Sequence, residues 1–236
     1  MSWEGARILA VVPARGGSKG ILRKNLRKVG GISLVAHAGQ LCAQLDWIDA
    51  AVLSTDDAEI ADEGRAHGLA VPFLRPAYLG RDDATSVDMW RHAWLACEEV
   101  CSCTFDVSIL LEPTSPLRTA DDVQRTVIAV VEEGAQAAAT VSRTPAHYSP
   151  QKTLTVDEQG EIGFFLEGGA GFSLRQKIPQ YYHRNGLCYC VRRAQLVERG
   201  RIIEERCRAI VVDRPVVNID EFFDLELADW LYARGC

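Results

Sequence analysis

Short apolar runs alternate with amphipathic segments along most of the chain. The runs have the length and composition of buried strands. They lie at residues 8–12, 50–54, 69–74, 107–111 and 137–142. Pro72 predicts an edge or irregular strand for the third run, since proline cannot donate to a sheet ladder. Apolar residues between the runs recur at helical spacing, as at residues 34–45. This repeated order predicts a parallel sheet with helices on both faces.

Polar residues that can cap helices mark where the amphipathic segments begin. Asp57, Thr85 and Thr119 each precede such a segment, and their side-chain oxygens can accept hydrogen bonds from the first turn. Gly68 suits the end of the helix that Asp57 begins. A last helix is predicted from Glu221 to about Ala233.

The pattern changes near residue 145. Residues 152–166 alternate on both sides of a central turn, which predicts a β-hairpin. A glycine-rich stretch follows, and the α/β pattern resumes at residue 181. We therefore expect residues 1–144 and 181–236 to form one α/β domain, from which residues 145–180 protrude.

A glycine-rich, basic loop follows the first predicted strand. Residues 13–20 read P-A-R-G-G-S-K-G, and glycines let backbone N–H groups approach an anion closely. Arg15 and Lys19 can add charged hydrogen bonds to phosphate oxygens. The loop contains neither G-x-x-x-x-G-K-[ST] nor G-x-G-x-x-G. On its own it predicts either a nucleoside triphosphate site or a glycine-rich turn with solvated cations.

The composition narrows the class of protein. A chain of 236 residues, 47% of them hydrophobic, suits one sizeable domain. A net charge of −6 argues against a surface for nucleic acid. No apolar run approaches the roughly 18 residues of a membrane span, and the first residues lack the pattern of a signal peptide. We therefore expect a cytoplasmic protein, with neither nucleic acid nor membrane as partner, whose 8 cysteines are free thiols.

Further motifs follow the loop in a fixed order. They are R-K-N at residues 23–25, S-T-D at 54–56, L-R-P-A at 74–77, E-P-T-S-P-L-R at 112–118, R-N-G at 184–186 and N-I-D at 218–220. The series resembles the acylneuraminate cytidylyltransferase (CMP-sialic acid synthetase) family. The resemblance implies a Rossmann-like nucleotidyltransferase α/β fold with a mixed, mainly parallel sheet. It also implies that the protruding β-rich segment mediates a homodimer and helps to complete the partner's active site.

The resemblance implies a reaction between CTP and an acidic 2-keto-3-deoxy sugar. The anomeric hydroxyl would attack the α-phosphate, giving a CMP-sugar and pyrophosphate, which asks the protein mainly for positioning and charge stabilisation. The residues that match the family's CTP contacts are Arg15, Gly17, Ser18, Lys19, Asn25, Arg75 and Ser86. Lys19, Arg15 and Asp220 are expected to act in catalysis.

A second set of residues matches the family's contacts to the sugar acid. They are Glu112, Lys152, Arg175, His183, Asn185 and Tyr189. Lys152 and Arg175 belong to the protruding segment and would reach the partner's sugar site. The arginine that the family places before N-G is displaced to Arg184, so His183 either takes its place or is an ordinary half-buried strand residue.

The resemblance also implies a divalent cation, with Mg²⁺ expected. Asp220 matches the family's most important metal aspartate, but the family's D-I-D motif begins here with Asn218. The family's Q-P-T-S-P-L-R block begins here with Glu112. Glu112 therefore either supplies the metal carboxylate that Asn218 lacks or holds a sugar hydroxyl, as glutamine could. A Kdo-type or other acidic sugar as substrate stays open, as does a catalytically weak nucleotide-binding relative.

Overall fold

The main strands form a mixed six-stranded sheet. The computed structural model describes residues 3, 5–172, 178–203 and 206–235. In sheet order the strands are β10 (Cys207–Val211), β6 (Ala137–Arg143), β9 (Tyr182–Arg192), β5 (Val107–Leu110), β1 (Ile8–Pro13) and β4 (Ala50–Ser54). β9 runs antiparallel to both neighbours, whereas the other pairs are parallel. The prediction of a mixed, mainly parallel sheet is confirmed.

Helices cover both faces of this sheet. They are α1 (Leu34–Gln44), α2 (Ala58–Ala66), α3 (Ser86–Cys101) and α4 (Ala120–Val131), whereas α5 (Phe222–Tyr232) packs in a separate cluster with Ile21, Val29 and Leu34. Along the buried β1, Ile8, Ala10 and Val12 face a cluster with α1, α2 and α4, and Leu9 and Val11 face a cluster with α3. Alternate side chains of a strand point to opposite faces, so β1 is anchored from both sides. Within the described ranges, no helix is long and apolar enough to span a bilayer.

The predicted helix caps are present. The side chains of Asp57, Thr85 and Thr119 cap α2, α3 and α4, each accepting a hydrogen bond from the backbone N–H three residues along the chain. The predicted strand at residues 69–74 is wrong, because only Ala70 bridges to β4 before Pro72 interrupts the ladder. The sequence pattern also gave no sign of the short antiparallel pair β2 (Lys28–Val29) and β3 (Ile32–Ser33).

A separate hairpin lies outside the main sheet. It consists of β7 (Leu154–Val156) and β8 (Ile162–Phe164), which confirms the predicted hairpin. The pairing places Leu154, Val156, Ile162 and Phe164 on one face, and these apolar side chains are between 47% and 69% exposed. The division of the chain into one domain of residues 1–144 and 181–236, from which residues 145–180 protrude, stays a prediction.

Candidate active site

A cavity of about 590 Å³ opens where β1 and β5 end. Open α/β sheets bind ligands at the carboxyl ends of their strands, which is where this cavity lies. It brings together many residues that the sequence predicted for CTP, sugar or metal, namely Arg15, Ser18, Lys19, Asn25, Arg75, Ser86, Glu112 and Asp220. It also includes charged residues that the sequence analysis did not assign, namely Lys24, Arg81, Asp82 and Glu221.

Contacts from outside the glycine-rich loop hold it in shape. The Gly16 N–H donates to the Asp56 carboxylate at 2.9 Å, and the buried Asn25 amide donates to the Arg15 carbonyl at 2.9 Å. A Cβ at Gly20 would lie only 2.6 Å from the Asp220 carbonyl oxygen, so glycine lets the loop meet the N-I-D segment closely. Gly17 is exposed next to the cavity-lining Ser18.

Two loop cations converge on one carboxylate. Arg15 Nη1 lies 3.0 Å from Oδ1 of Asp82, and Lys19 Nζ lies 2.5 Å from Oδ2. The hydrogen bonds from Lys19 and then from Arg15 lower the pKa of Asp82. Arg15 and Lys19 are therefore close enough to hold one anionic group between them.

Arg75 and Ser86 line the cavity, and Arg75 is buried. The Arg75 guanidinium donates to the Ser54 hydroxyl at 3.0 Å and to the Ser54 carbonyl. Burial lowers the pKa of Arg75 to about 10, an effect that Asp56 opposes. Arg75 is thus fixed at the end of β4, whereas Ser86 begins α3 next to its capping residue Thr85.

Glu112 and Asp220 form an acidic pair at the cavity. Burial raises the pKa of Glu112; Arg118, Arg184 and Lys24 oppose this shift, and Asp220 adds to it. Glu112 and Asp220 both line the cavity and the charge of Asp220 disfavours ionisation of Glu112, an effect that a bound cation would reduce. Lys24 Nζ lies 3.0 Å from Asp220 Oδ1 and 2.9 Å from the Ile219 carbonyl.

This acidic pair fits Mg²⁺. The ion is commonly bound by one or two carboxylates when substrate phosphates and water supply the other oxygens. Among the described residues, no group of three or more His, Cys, Asp or Glu side chains could hold a metal. Any Mg²⁺ at Glu112 and Asp220 would therefore take its further ligands from the substrate and from water.

The positions that depart from the family pattern, Glu112 and Asn218, are neighbours. A Cβ built on Gly186 would lie 2.7 Å from Glu112 Oε2 and 3.1 Å from Asn218 Nδ2. Gly186 has a φ of 71°, so both its conformation and its surroundings favour glycine. The buried Arg118 donates to the carbonyls of Glu112 at 2.7 Å, of Gly186 at 3.4 Å and of Leu187. Arg118 thereby holds the end of β5 against β9. The one indication of this contact in the sequence is an arginine at the end of the proline-containing run E-P-T-S-P-L-R.

The other residues predicted for the sugar do not line the cavity within the described part of the chain. Asn185 is buried, where its amide donates to Ser142 at 3.0 Å and its oxygen accepts from the Leu187 N–H at 3.3 Å. Tyr189 is also buried, and burial, with Glu112 as a further cause, raises its pKa to about 12.

His183 and Arg184 have different surroundings. His183 Nδ1 lies 3.1 Å from Thr144 Oγ1, whereas Arg184 is close enough to lower the pKa values of both Glu112 and Tyr189. The charge of Arg184 therefore acts on Glu112 and Tyr189, while the ring of His183 lies beside Thr144. Lys152 ends a short 3-10 helix, and Arg175 lies outside the described residues.

Known proteins resemble this chain over almost its whole length. A family model described as cytidylyltransferase matches residues 9–200. The CMP-N,N'-diacetyllegionaminic acid synthase of Campylobacter jejuni is 29% identical over 229 residues, which is 97% of this chain and 96% of that protein. The pseudaminic acid cytidylyltransferase of the same species is 28% identical over 225 residues, which is 95% of each chain.

A solved structure has the same fold. It is described as CMP:2-keto-3-deoxy-manno-octonic acid synthetase complexed with CTP, and it matches with a TM-score of 0.71. The two chains are 17% identical, and the match covers 98% of this chain and 100% of the other. This similarity supports a nucleotidyltransferase fold of the Rossmann-like type.

Proposed function

Because this chain belongs to the cytidylyltransferase family, we propose that it transfers CMP from CTP to the anomeric hydroxyl of a nonulosonic, sialic-acid-like sugar acid and releases pyrophosphate. The observation that carries the proposal is one cavity in which paired cations and paired carboxylates face a shared space. Relatives named for CMP-legionaminic and pseudaminic acid synthesis support the class of sugar.

The triphosphate of CTP would lie along the glycine-rich loop. Arg15 and Lys19 would hold its oxygens with charged hydrogen bonds, together with the backbone of Gly17 and Ser18. Asn25 fixes the Arg15 carbonyl and so keeps the loop in place. Arg75 and Ser86 would contact the cytosine end of the nucleotide.

In the proposed reaction, the anomeric hydroxyl gives up its proton to solvent, its oxygen bonds to the α-phosphorus, and the bond from the α-phosphorus to the oxygen of the departing pyrophosphate breaks. Arg15 and Lys19 would stabilise the negative charge that develops on the departing pyrophosphate. Asp220 and Glu112 would hold Mg²⁺, which when bound lowers the pKa of a coordinated hydroxyl and neutralises phosphate charge. Lys24 keeps the Asp220 carboxylate beside the loop.

The sugar acid would lie on the Glu112 side of the cavity. Arg184 is the cation that this chain brings near Glu112 and Tyr189, so we assign it with Tyr189, His183 and Asn185 to the sugar side. Lys152 and Arg175 would come from a second protomer.

We further propose a homodimer that forms through residues 145–180. The support is the hairpin face formed by Leu154, Val156, Ile162 and Phe164, whose apolar side chains are exposed in the single chain. Contiguous exposed apolar surface marks an interaction site. We also place the enzyme in the cytoplasm, which agrees with the free cysteines of the described residues.

The test is a substrate panel with the purified protein. Legionaminic, pseudaminic and N-acetylneuraminic acids are compared with Kdo, each with CTP and Mg²⁺, by pyrophosphate release and by the mass of the product. We expect a CMP-sugar from at least one nonulosonic acid, and none when ATP replaces CTP. Turnover of Kdo alone would favour an octulosonate enzyme. CTP binding without turnover of any sugar would favour a catalytically weak relative.

A further inference from the structure

The carboxylate of Asp82 takes the position that a phosphate group of CTP would have in the proposed site. Its Oδ2 lies 2.5 Å from Lys19 Nζ and its Oδ1 lies 3.0 Å from Arg15 Nη1. These are the two cations that the proposed function assigns to the triphosphate. One carboxylate of the chain therefore uses both donors that the phosphate oxygens would use.

The segment that contains Asp82 makes further contacts with the glycine-rich loop and its surroundings. Arg15 Nη1 also contacts the Gly80 carbonyl at 3.4 Å. A Cβ on Gly80 would lie 2.6 Å from Oδ2 of Asp56, whose Oδ1 accepts the Gly16 N–H. Asp56 thus lies between the two segments, and Asp82 closes the contact over the cavity.

We propose that Asp82 is an intramolecular competitor of the triphosphate, which holds Arg15 and Lys19 in place between turnovers and is displaced when CTP binds. This inference rests on the proposed function. The Asp82 and Lys19 side chains are 52% and 80% exposed, and exposed ion pairs contribute little, so a polyanion can displace this one. Protein in which Asp82 holds the two cations does not bind CTP, so the measured affinity for CTP is reduced by the fraction of protein in that state. Return of Asp82 after the reaction would also favour pyrophosphate release.

The test compares Asp82→Asn with Asp83→Asn. Asp83 is the next residue and is exposed, and its substitution removes the same charge, but Asp83 lines a neighbouring cavity and not the cavity of the proposed site. We measure the dissociation constants of CTP, inorganic tripolyphosphate and cytidine by calorimetry. We expect Asp82→Asn to bind CTP and tripolyphosphate about three- to tenfold more tightly than Asp83→Asn does, as expected when a competing state is removed. Cytidine has no phosphate and should bind both variants equally.

Equal tightening in both variants would mean that general charge explains the gain, and would overturn the proposal. Weaker binding by Asp82→Asn would also overturn it, because Asp82 would then position the cations for the ligand. Asp82→Glu keeps the carboxylate and should retain the wild-type affinity to within about twofold, as a check that the segment is intact. Failure of the wild type to bind CTP would count against the proposed function, whereas tight wild-type binding without a gain in Asp82→Asn counts against the competitor alone.

Discussion

The cavity and the hairpin differ in how far this chain provides partners for its own side chains. In the cavity, Lys24 pairs with Asp220 and Arg118 holds the Glu112 carbonyl, although the partners are distant in sequence. In the hairpin, the face with Val156 and Ile162 is left open. A cavity lined by the charged groups of one chain can bind a nucleotide within that chain, whereas an open apolar face calls for a second molecule.

This difference divides the proposed reaction into two halves. The nucleotide half is assembled from strand ends and loops of a single protomer. The proposed sugar half includes Lys152, which belongs to the segment that we expect to protrude and does not line the cavity. If this division holds, nucleotide binding should need only one protomer, whereas turnover of the sugar should depend on the hairpin.

The largest effect is expected at the acidic pair. Asp220→Asn removes the more exposed carboxylate of the proposed metal site and should lower kcat on the order of 10²–10³-fold, as loss of a key electrostatic group does. Glu226→Gln removes a charge from the exposed part of α5 and serves as the matched control. Steady-state pyrophosphate release at saturating CTP measures both. An Asp220→Asn enzyme with near-normal kcat would remove Asp220 from the mechanism.

The hairpin face should be sensitive to charge on one side only. Ile162→Asp places a carboxylate among the apolar residues, and burial of such a side chain is worth about 1.5–3 kcal/mol, so the dimer should weaken at least tenfold. Thr155→Asp adds the same charge on the opposite face and should leave the dimer intact. Light scattering across a concentration series measures the dimerisation of both variants. A wild-type monomer with full activity would contradict the division into two halves.

Sequence reasoning succeeded where the signal was local. β1, the glycine-rich loop and the caps of α2, α3 and α4 each depend on residues close in sequence, and these elements are present. The strand predicted at residues 69–74 is reduced to a single bridge from Ala70 to the edge strand β4, because Pro72 has no N–H with which to continue the ladder.

Contacts between distant segments were beyond the reach of local patterns. Glu112 and Asn218 each stood out as a departure from the family, but their proximity depends on contacts between distant segments, namely the Ile219 N–H that donates to the Thr114 carbonyl at 2.8 Å and the position of Gly186 beside both side chains. The role of Asp82 as the partner of both loop cations was likewise unpredictable, because an acid in a loop looks like an ordinary solvated or capping group.

A smaller loss is expected in the loop. Lys19→Ala should lower kcat/KM for CTP at least tenfold, since a charged hydrogen bond contributes about 1.5–3 kcal/mol and about 1.4 kcal/mol is tenfold. Lys28→Ala, on the exposed position of β2, removes the same kind of charge and should have little effect. Initial rates over a CTP series provide the comparison. Equal rates in the two variants would mean that Lys19 is a solvated loop lysine that does not bind the triphosphate.

The neighbouring pair Glu112 and Asn218 should show compensation of a few fold. If Glu112 binds the metal, Glu112→Gln should raise the Mg²⁺ concentration for half-activity about fivefold, which corresponds to about 1 kcal/mol. Adding Asn218→Asp should restore part of this loss, because the two side chains approach the same point. If Glu112 holds a sugar hydroxyl instead, the KM for the sugar should change and the Mg²⁺ titration should not.

The smallest expected effect is on stability and its dependence on pH. Burial raises the pKa of Glu112 above its value in the unfolded chain. The stabilisation from its protonated form is therefore fully present below the unfolded-state pKa and is lost as the pH rises through the folded-state pKa. Glutamine does not ionise, so Glu112→Gln should melt about 1–4 °C above the wild type at pH 8, with a gap that closes toward pH 4. Thermal unfolding by circular dichroism without Mg²⁺ measures the gap, and Glu226→Gln should show none that varies with pH. A Glu112→Gln variant that melted below the wild type at pH 8, with a deficit that closed toward pH 4, would mean that the attraction of Arg118, Arg184 and Lys24 outweighs burial. In the expected pattern, the ionised form of Glu112 lowers the stability of the folded chain, because burial disfavours the carboxylate. That carboxylate is the form that the proposed metal needs.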